Sequence, residues 1–219
     1  MASPQGTRVS RPDFFHRLQL AWSTRRYVDG VWVGSWRTPR DLRQIEDALL
    51  LIKQHSRVHY SRVLRDLERV WVFVLPSRRA EFNEYLRACI LDERYVAGST
   101  LELIASTIVH EATHARLSRC GIKYKESLRS RIEAICLRRE LAFAAKLPNG
   151  EDLKREITSL LEWCGTNADW FSNSQFRERE KQDIVDALRY METPEWIIGT
   201  ALKLKSATSR LRRLFRSAS

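Results

Sequence analysis

Apolar positions in this chain recur mostly at steps of three and four residues, the period of one helix face, and only locally give way to the short β-branched and aromatic runs of a strand. From Asp41 to about Arg69, Leu42, Ile45, Leu49 and Ile52, followed by Val63, Leu64 and Leu67, predict one or two amphipathic helices. Val70-Trp71-Val72-Phe73-Val74-Leu75, stopped by Pro76, predicts a strand. A short helix is expected over Ser77 to Arg87 and a second strand over Ala88 to Asp92. Ser99 with Glu102 three residues later reads as a capping box that opens a long helix, and Gly121 ends it. A further helix is expected from Tyr124 to Lys146, closed by Leu147-Pro148-Asn149-Gly150, and helical periodicity returns over Asp152 to Trp163 and Gln175 to Tyr190. Near the start, Tyr27-Val28 and Val31-Trp32-Val33 flank Asp29-Gly30, the signature of a short hairpin.

This order predicts an α+β fold that is predominantly helical, with a small mixed β-sheet ahead of the long helix. Its 219 residues suit one principal domain. We divide the chain into a basic, aromatic-rich segment over 1–40, an expected catalytic domain over 41–195 and a basic amphipathic tail over 196–219. A chain that is 43% apolar and 30% charged, with few Gly and Pro, excludes a disordered or all-β protein. Neither a signal-peptide apolar region nor about 18 consecutive apolar residues is present, so a cytoplasmic protein is expected. Cys89, Cys120, Cys136 and Cys164 form no CxxC pair, and their spacing writes no thiol metal site or redox motif.

Charge changes this picture only at the ends. The net +11 divides into +5 over residues 1–40 and +6 over 201–219, leaving 25 basic and 25 acidic residues between. An anionic partner, a nucleic acid or a membrane surface, would therefore be held by the termini. Trp22, Trp32 and Trp36 among the N-terminal arginines offer stacking surfaces for nucleic acid, unless they are core. In the tail, Trp196, Ile197, Ile198, Leu202, Leu204, Leu211, Leu214 and Phe215 alternate with Lys and Arg as in a basic amphipathic helix. Its first half is expected to pack on the body through Trp196 and Ile197.

The chemistry is concentrated in His110-Glu111-Ala112-Thr113-His114, inside the long helix. Two histidines four apart project from one helix face, and both imidazoles can reach one ion. Glu111 is offset from that pair and suited to hold a water as general base. His55 and His59 share the i, i+4 spacing without a glutamate between them and are read as structural. A metal site of this kind needs a third protein ligand, and Glu133 lies 19 positions after His114. Glu126 and Glu140 share its helix face, so Glu140 is an alternative as ligand or as partner of a ligand imidazole.

With HExxH followed by eighteen residues and Glu, the chain resembles the gluzincins, a group of zincin metallopeptidases, over residues 99 to about 145. It departs from the better-known families in lacking their residues around the third ligand, with Leu137 where an aspartate is usual, and it has no HExxHxxGxxH extension. The resemblance implies that His110, His114 and Glu133 hold Zn²⁺, and that Glu111 deprotonates the attacking water. It also implies an edge strand, residues 88–92, that pairs with an extended peptide or protein substrate. An additional donor to the developing oxyanion would come from Tyr124 or Tyr95. A nucleic-acid-associated zincin recruited by its basic ends, and a non-catalytic zincin-like module, are the alternatives.

Overall fold

The computed structural model describes residues 20–200 apart from 37, 76, 77, 191 and 198. β1 (Thr24–Val28) and β2 (Val31–Ser35) form the expected hairpin, whose turn places Asp29 at φ 46° and Gly30 at φ 92°. With β3 (Arg69–Phe73), β4 (Ala80–Asn83) and β5 (Ala88–Asp92) they build a mixed sheet in the order β1-β2-β3-β5-β4. β2, β3 and β5 run parallel, while β1 and β4 lie antiparallel at the two edges. The helices are α1 (Pro39–His55), α2 (Arg57–Asp66), α3 (Glu93–Gly98), α4 (Leu101–Arg119), α5 (Glu126–Ala144), α6 (Glu151–Thr166) and α7 (Asn173–Tyr190), with a 3₁₀ turn at Ala168–Phe171. The fold is α+β, mostly helical, with a small mixed sheet.

Strand alternation divides the burial. Val31, Val33, Val70, Val72, Cys89 and Leu91 point into the main core with Leu42, Ile45, Leu49 and Ile52 of α1 and Ile104 and Ile108 of α4. The intervening Trp32, Trp71, Ala88 and Ile90 form a second cluster with Leu86 on the opposite face. Both faces are covered, which is why β3 and β5 read as nearly continuous apolar runs. Trp71 is fully buried and its indole N–H donates to Ser23 Oγ at 3.1 Å. Trp32 lies across Gly34, where an added Cβ would stand 2.0 Å from the ring, so this close approach requires glycine.

The structure corrects the sequence reading at four places. Residues 80–83, expected in a helix, are strand β4, because pairing along β5 overrides a weak local helix preference. Ala88–Asp92 is consequently interior, and the sheet edge beside the long helix is β4. The cap of α4 is Thr100, whose hydroxyl accepts from Leu103 N–H, whereas Ser99 ends α3 in an extended conformation. Trp196 and Ile197 are exposed rather than packed on the body, Trp196 at 73%. Of the proposed stacking residues, Trp32 is core and Trp22 is exposed, and Trp36 meets Phe73 edge-on. The arginines of 1–19 and the basic stretch 201–219 lie outside the described residues. Among the described residues no helix is long and apolar enough to cross a membrane.

β5 delivers the chain to the site through Asp92. Its carboxylate accepts the N–H groups of Arg94 and Tyr95, each at 3.1 Å, and of Leu75 at 2.8 Å, capping α3 and tying it to the end of β3. The short α3 then turns the chain into α4, whose Ile104, Ala105, Ile108, Val109, Ala112 and Ala115 are buried. Small residues along this stripe let α4 pack closely on α1, α2 and β4.

His59 supplies a pH-dependent stability term. It is buried in α2 against Phe143, and its Nδ1 lies 2.7 Å from Ser56 Oγ. Burial first, then the charges of Lys146, Arg62 and Arg139, depress its pKa from 6.5 to about 4. Below about 6.5 the unfolded chain takes up a proton that the folded chain refuses, so stability should fall as pH drops from about 6.5 to about 4, by no more than about 3 kcal/mol. Urea unfolding across this range should show the slope in the wild type and a flatter one in His59→Gln; equal slopes would assign the acid sensitivity elsewhere.

Candidate metal centre

α4 and α5 pack side by side and bring together the residues that the sequence placed 19 positions apart. On α4, His110 and His114 project one turn apart, with ring centroids 5.1 Å from each other. On α5, the Glu133 carboxylate straddles them: Oε2 lies 3.3 Å from His110 Nε2, and Oε1 lies 3.5 Å from His114 Nε2. Charge-assisted hydrogen bonds are usually about 2.7–2.9 Å. Two ligands on a tetrahedral ion with bonds of about 2.0–2.1 Å stand about 3.3 Å apart, a spacing that each Glu133 oxygen shows to one of the two imidazoles.

The three glutamates of α5 share a face, but seven residues advance a helix by about 10 Å. Only one can therefore stand level with both imidazole Nε2 atoms, and it is Glu133. Glu140 lies on the other edge of His110, its Oε2 2.9 Å from Nδ1, and its second oxygen accepts from Ser106 Oγ at 2.8 Å. An Nδ1–H donated to Glu140 would leave the Nε2 lone pair free for an ion that replaced the Nε2 proton between His110, Glu133 and His114. Glu126, at the far end, accepts from the backbone and side-chain N–H groups of Asn173 at 2.7 and 2.6 Å and takes no part in the cluster.

Tyr124 closes one side. Its hydroxyl donates to Glu133 Oε1 at 2.5 Å, and its ring meets His114 edge-on at 5.7 Å and Phe176 of α7 at 6.2 Å. Tyr95, the other sequence candidate, points elsewhere: its hydroxyl reaches Thr107 Oγ1 at 2.7 Å and the Leu103 carbonyl at 3.1 Å. Glu111 is buried, at 7% exposure. Burial pushes its pKa up, the two histidines oppose that push, and Glu133 and Glu81 of the edge strand reinforce it.

The electrostatics favour a cation. Burial disfavours protonated His110, yet contacts with Glu133 and Glu140 overcome it and hold the imidazole pKa well above its ordinary value. Burial likewise disfavours ionised Glu133, and His114 and His110 more than reverse it, holding its pKa well below the ordinary carboxylate value. Three carboxylates, Glu111, Glu133 and Glu140, surround two imidazoles, so positive charge at the Nε2 edge is stabilised from several sides.

One member of the site was not legible in the cysteine spacing. His110, His114 and Cys136 bring one ligand atom each to within 4.8 Å of one another, a group that could hold a metal ion. Cys136 follows Glu133 by three residues, and that i, i+3 relation on α5 was the available signal. The thiol is completely buried, which pushes its pKa well up, with Glu133, Glu111 and Glu140 adding to the effect. All four cysteines are free thiols, Cys120 alone exposed. Compared with protein-family profiles, curated proteins and solved structures, the chain matches none.

Proposed function

We propose that this chain is a zinc-dependent peptide hydrolase of gluzincin-like design, with His110, His114 and Glu133 as the ligands and Glu111 as general base. The observation that carries this reading is the Glu133 carboxylate set 3.3 and 3.5 Å from the two Nε2 atoms of an HExxH helix. Nitrogen and carboxylate donors in this arrangement suit Zn²⁺, which binds imidazole and carboxylate oxygen at about 2.0–2.2 Å. An antiparallel edge strand beside the HExxH helix supports the same reading, with β4 rather than β5 as the strand available to an extended peptide.

A bound Zn²⁺ would supply Lewis acidity toward the scissile carbonyl and toward the attacking water. Glu111 removes the proton from that water as its oxygen attacks the carbonyl carbon. The same carboxyl then delivers the proton to the amide nitrogen, the C–N bond breaks, and an acid and an amine leave. Tyr124 holds Glu133 Oε1 and thereby orients the carboxylate toward the imidazoles. Glu140 fixes the tautomer and tilt of His110. The side chains of His110, His114 and Glu133 keep only 15–19% of their surface, which limits screening of these charges by bulk water.

The experiment is metal analysis of purified protein. Wild type should hold one zinc per chain and His114→Ala much less than one, with folding of both checked by circular dichroism. A folded wild type without stoichiometric metal after exposure to excess Zn²⁺ would remove the metal site and the hydrolase with it.

A further inference from the structure

We propose that Cys136 is itself a ligand of this ion and closes its coordination, so that the resting site is His₂-Glu-Cys and the enzyme is latent. The inference rests on the metal site proposed above and concerns how that site is regulated.

The thiol is positioned for this by α5. Glu133 and Cys136, one helical turn apart, both face the imidazoles of α4, and the sulfur, His110 and His114 donors all lie within 4.8 Å of one another. Zinc–nitrogen bonds of about 2.0–2.1 Å and a zinc–sulfur bond of about 2.3 Å put tetrahedral N and S ligands roughly 3.5 Å apart, so no N–S separation in the group need contract by more than about 1.3 Å. That is within the reach of a cysteine χ1 adjustment.

Accessibility separates the donors. The two histidine side chains and Glu133 keep 15–19% of their surface, whereas Cys136 is wholly buried, so the sulfur approaches from the protein side and the other three form the mouth. Three protein ligands leave a fourth position for water; a thiolate in that position gives the closed coordination of a structural site. Binding converts the thiol to thiolate, its proton passing to solvent. Hydrolysis then requires the sulfur to leave the ion or the ion to accept a fifth ligand. Thiolate also selects soft ions, favouring Zn²⁺ over Mg²⁺ or Ca²⁺.

Zinc X-ray absorption on the intact wild-type chain tests the ligand set without any substitution. One sulfur scatterer at about 2.3 Å beside nitrogen and oxygen is expected. In the Co²⁺-loaded protein, a thiolate-to-cobalt charge-transfer band in the near ultraviolet should appear, and it should vanish in Cys136→Ala and in Cys136→Ser, the second variant guarding against a folding failure of the first. Both variants should bind metal at least about tenfold more weakly and cleave peptides faster than wild type at saturating metal. Stoichiometric metal in an all nitrogen–oxygen shell overturns the Cys136 proposal and leaves the hydrolase reading standing. Sulfur in the shell with Cys136→Ala and Cys136→Ser no faster than wild type overturns the latency. Absence of metal from the wild type overturns both readings, and a sulfur-containing shell in chains that cleave no peptide, the variants included, overturns the hydrolase and latency alone.

Discussion

Glu111→Gln should keep the bound ion and lose peptide hydrolysis by about a thousandfold, roughly 4 kcal/mol of transition-state stabilisation. The amide is close in shape to the carboxylate, so the buried site and its packing on α4 persist. What disappears is the ability to accept a proton from water and return it to the leaving nitrogen. The histidines, Glu133, Glu140 and Tyr124 are untouched, which confines the change to proton transfer. The comparison requires kcat/KM on one peptide cleaved by the wild type, with metal content measured on the same samples. Equal rates in two fully loaded proteins would remove Glu111 from the reaction. Loss of metal together with activity would mean that its charge serves to retain the ion.

Periodicity reached far into this fold and stopped at identifiable points. The hairpin, β3, β5, the two helices over 41–69, and α5 to α7 all follow from local pattern, because each buries one stripe or one run of its own side chains. β4 is not visible that way. Ala80-Glu81-Phe82-Asn83 has no strong preference of its own, and only the backbone hydrogen bonds offered by β5 make it a strand. Missing it displaced the edge of the sheet by one strand. The Ser99 cap failed by a single residue because both Ser99 and Thr100 carry hydroxyls, and only the one with Leu103 N–H in reach becomes the cap.

The site was legible to a similar depth. HExxH and the glutamate spacing named residues that the structure brings together, since a helix converts i, i+4 into one face by geometry alone. The choice between Glu133 and Glu140 was beyond periodicity, which gives the face and not the level along the axis. The packing of α5 against α4 sets that level, and it assigns Glu140 to the Nδ1 edge of His110. Cys136 escaped for the opposite reason. The histidines near it lie on another helix, so spacing among the cysteines was silent and only its i, i+3 relation to Glu133 pointed to it.

Arg129→Ala should destabilise the protein by about 3–4 kcal/mol, and the loss should be felt at the site. Arg129 sits on α5 one turn before Glu133 and is only 2% exposed. Its Nη1 donates to the Phe171 carbonyl and its Nη2 to Asn173 Oδ1, both at 2.8 Å, which ties α5 to the 3₁₀ turn and to the start of α7. The guanidinium also lies 4.4 Å from the Phe176 ring and 5.6 Å from the ring of Tyr124, the residue that holds Glu133. Alanine removes two charge-assisted hydrogen bonds, leaves a buried carbonyl and a partly buried amide oxygen without these donors, and opens a cavity beneath both rings. Arg129→Met separates the contributions, because it keeps most of the stem volume and loses only the polar contacts. About half the destabilisation is expected for it. For a chain of this size, the Arg129→Ala loss corresponds to a fall in Tm of roughly 10 °C. Thermal and urea unfolding of the two variants beside wild type would measure it. A change within about 0.5 kcal/mol for Arg129→Ala, the range of ordinary surface substitutions, would show that α7 and the Tyr124 wall are held by other contacts.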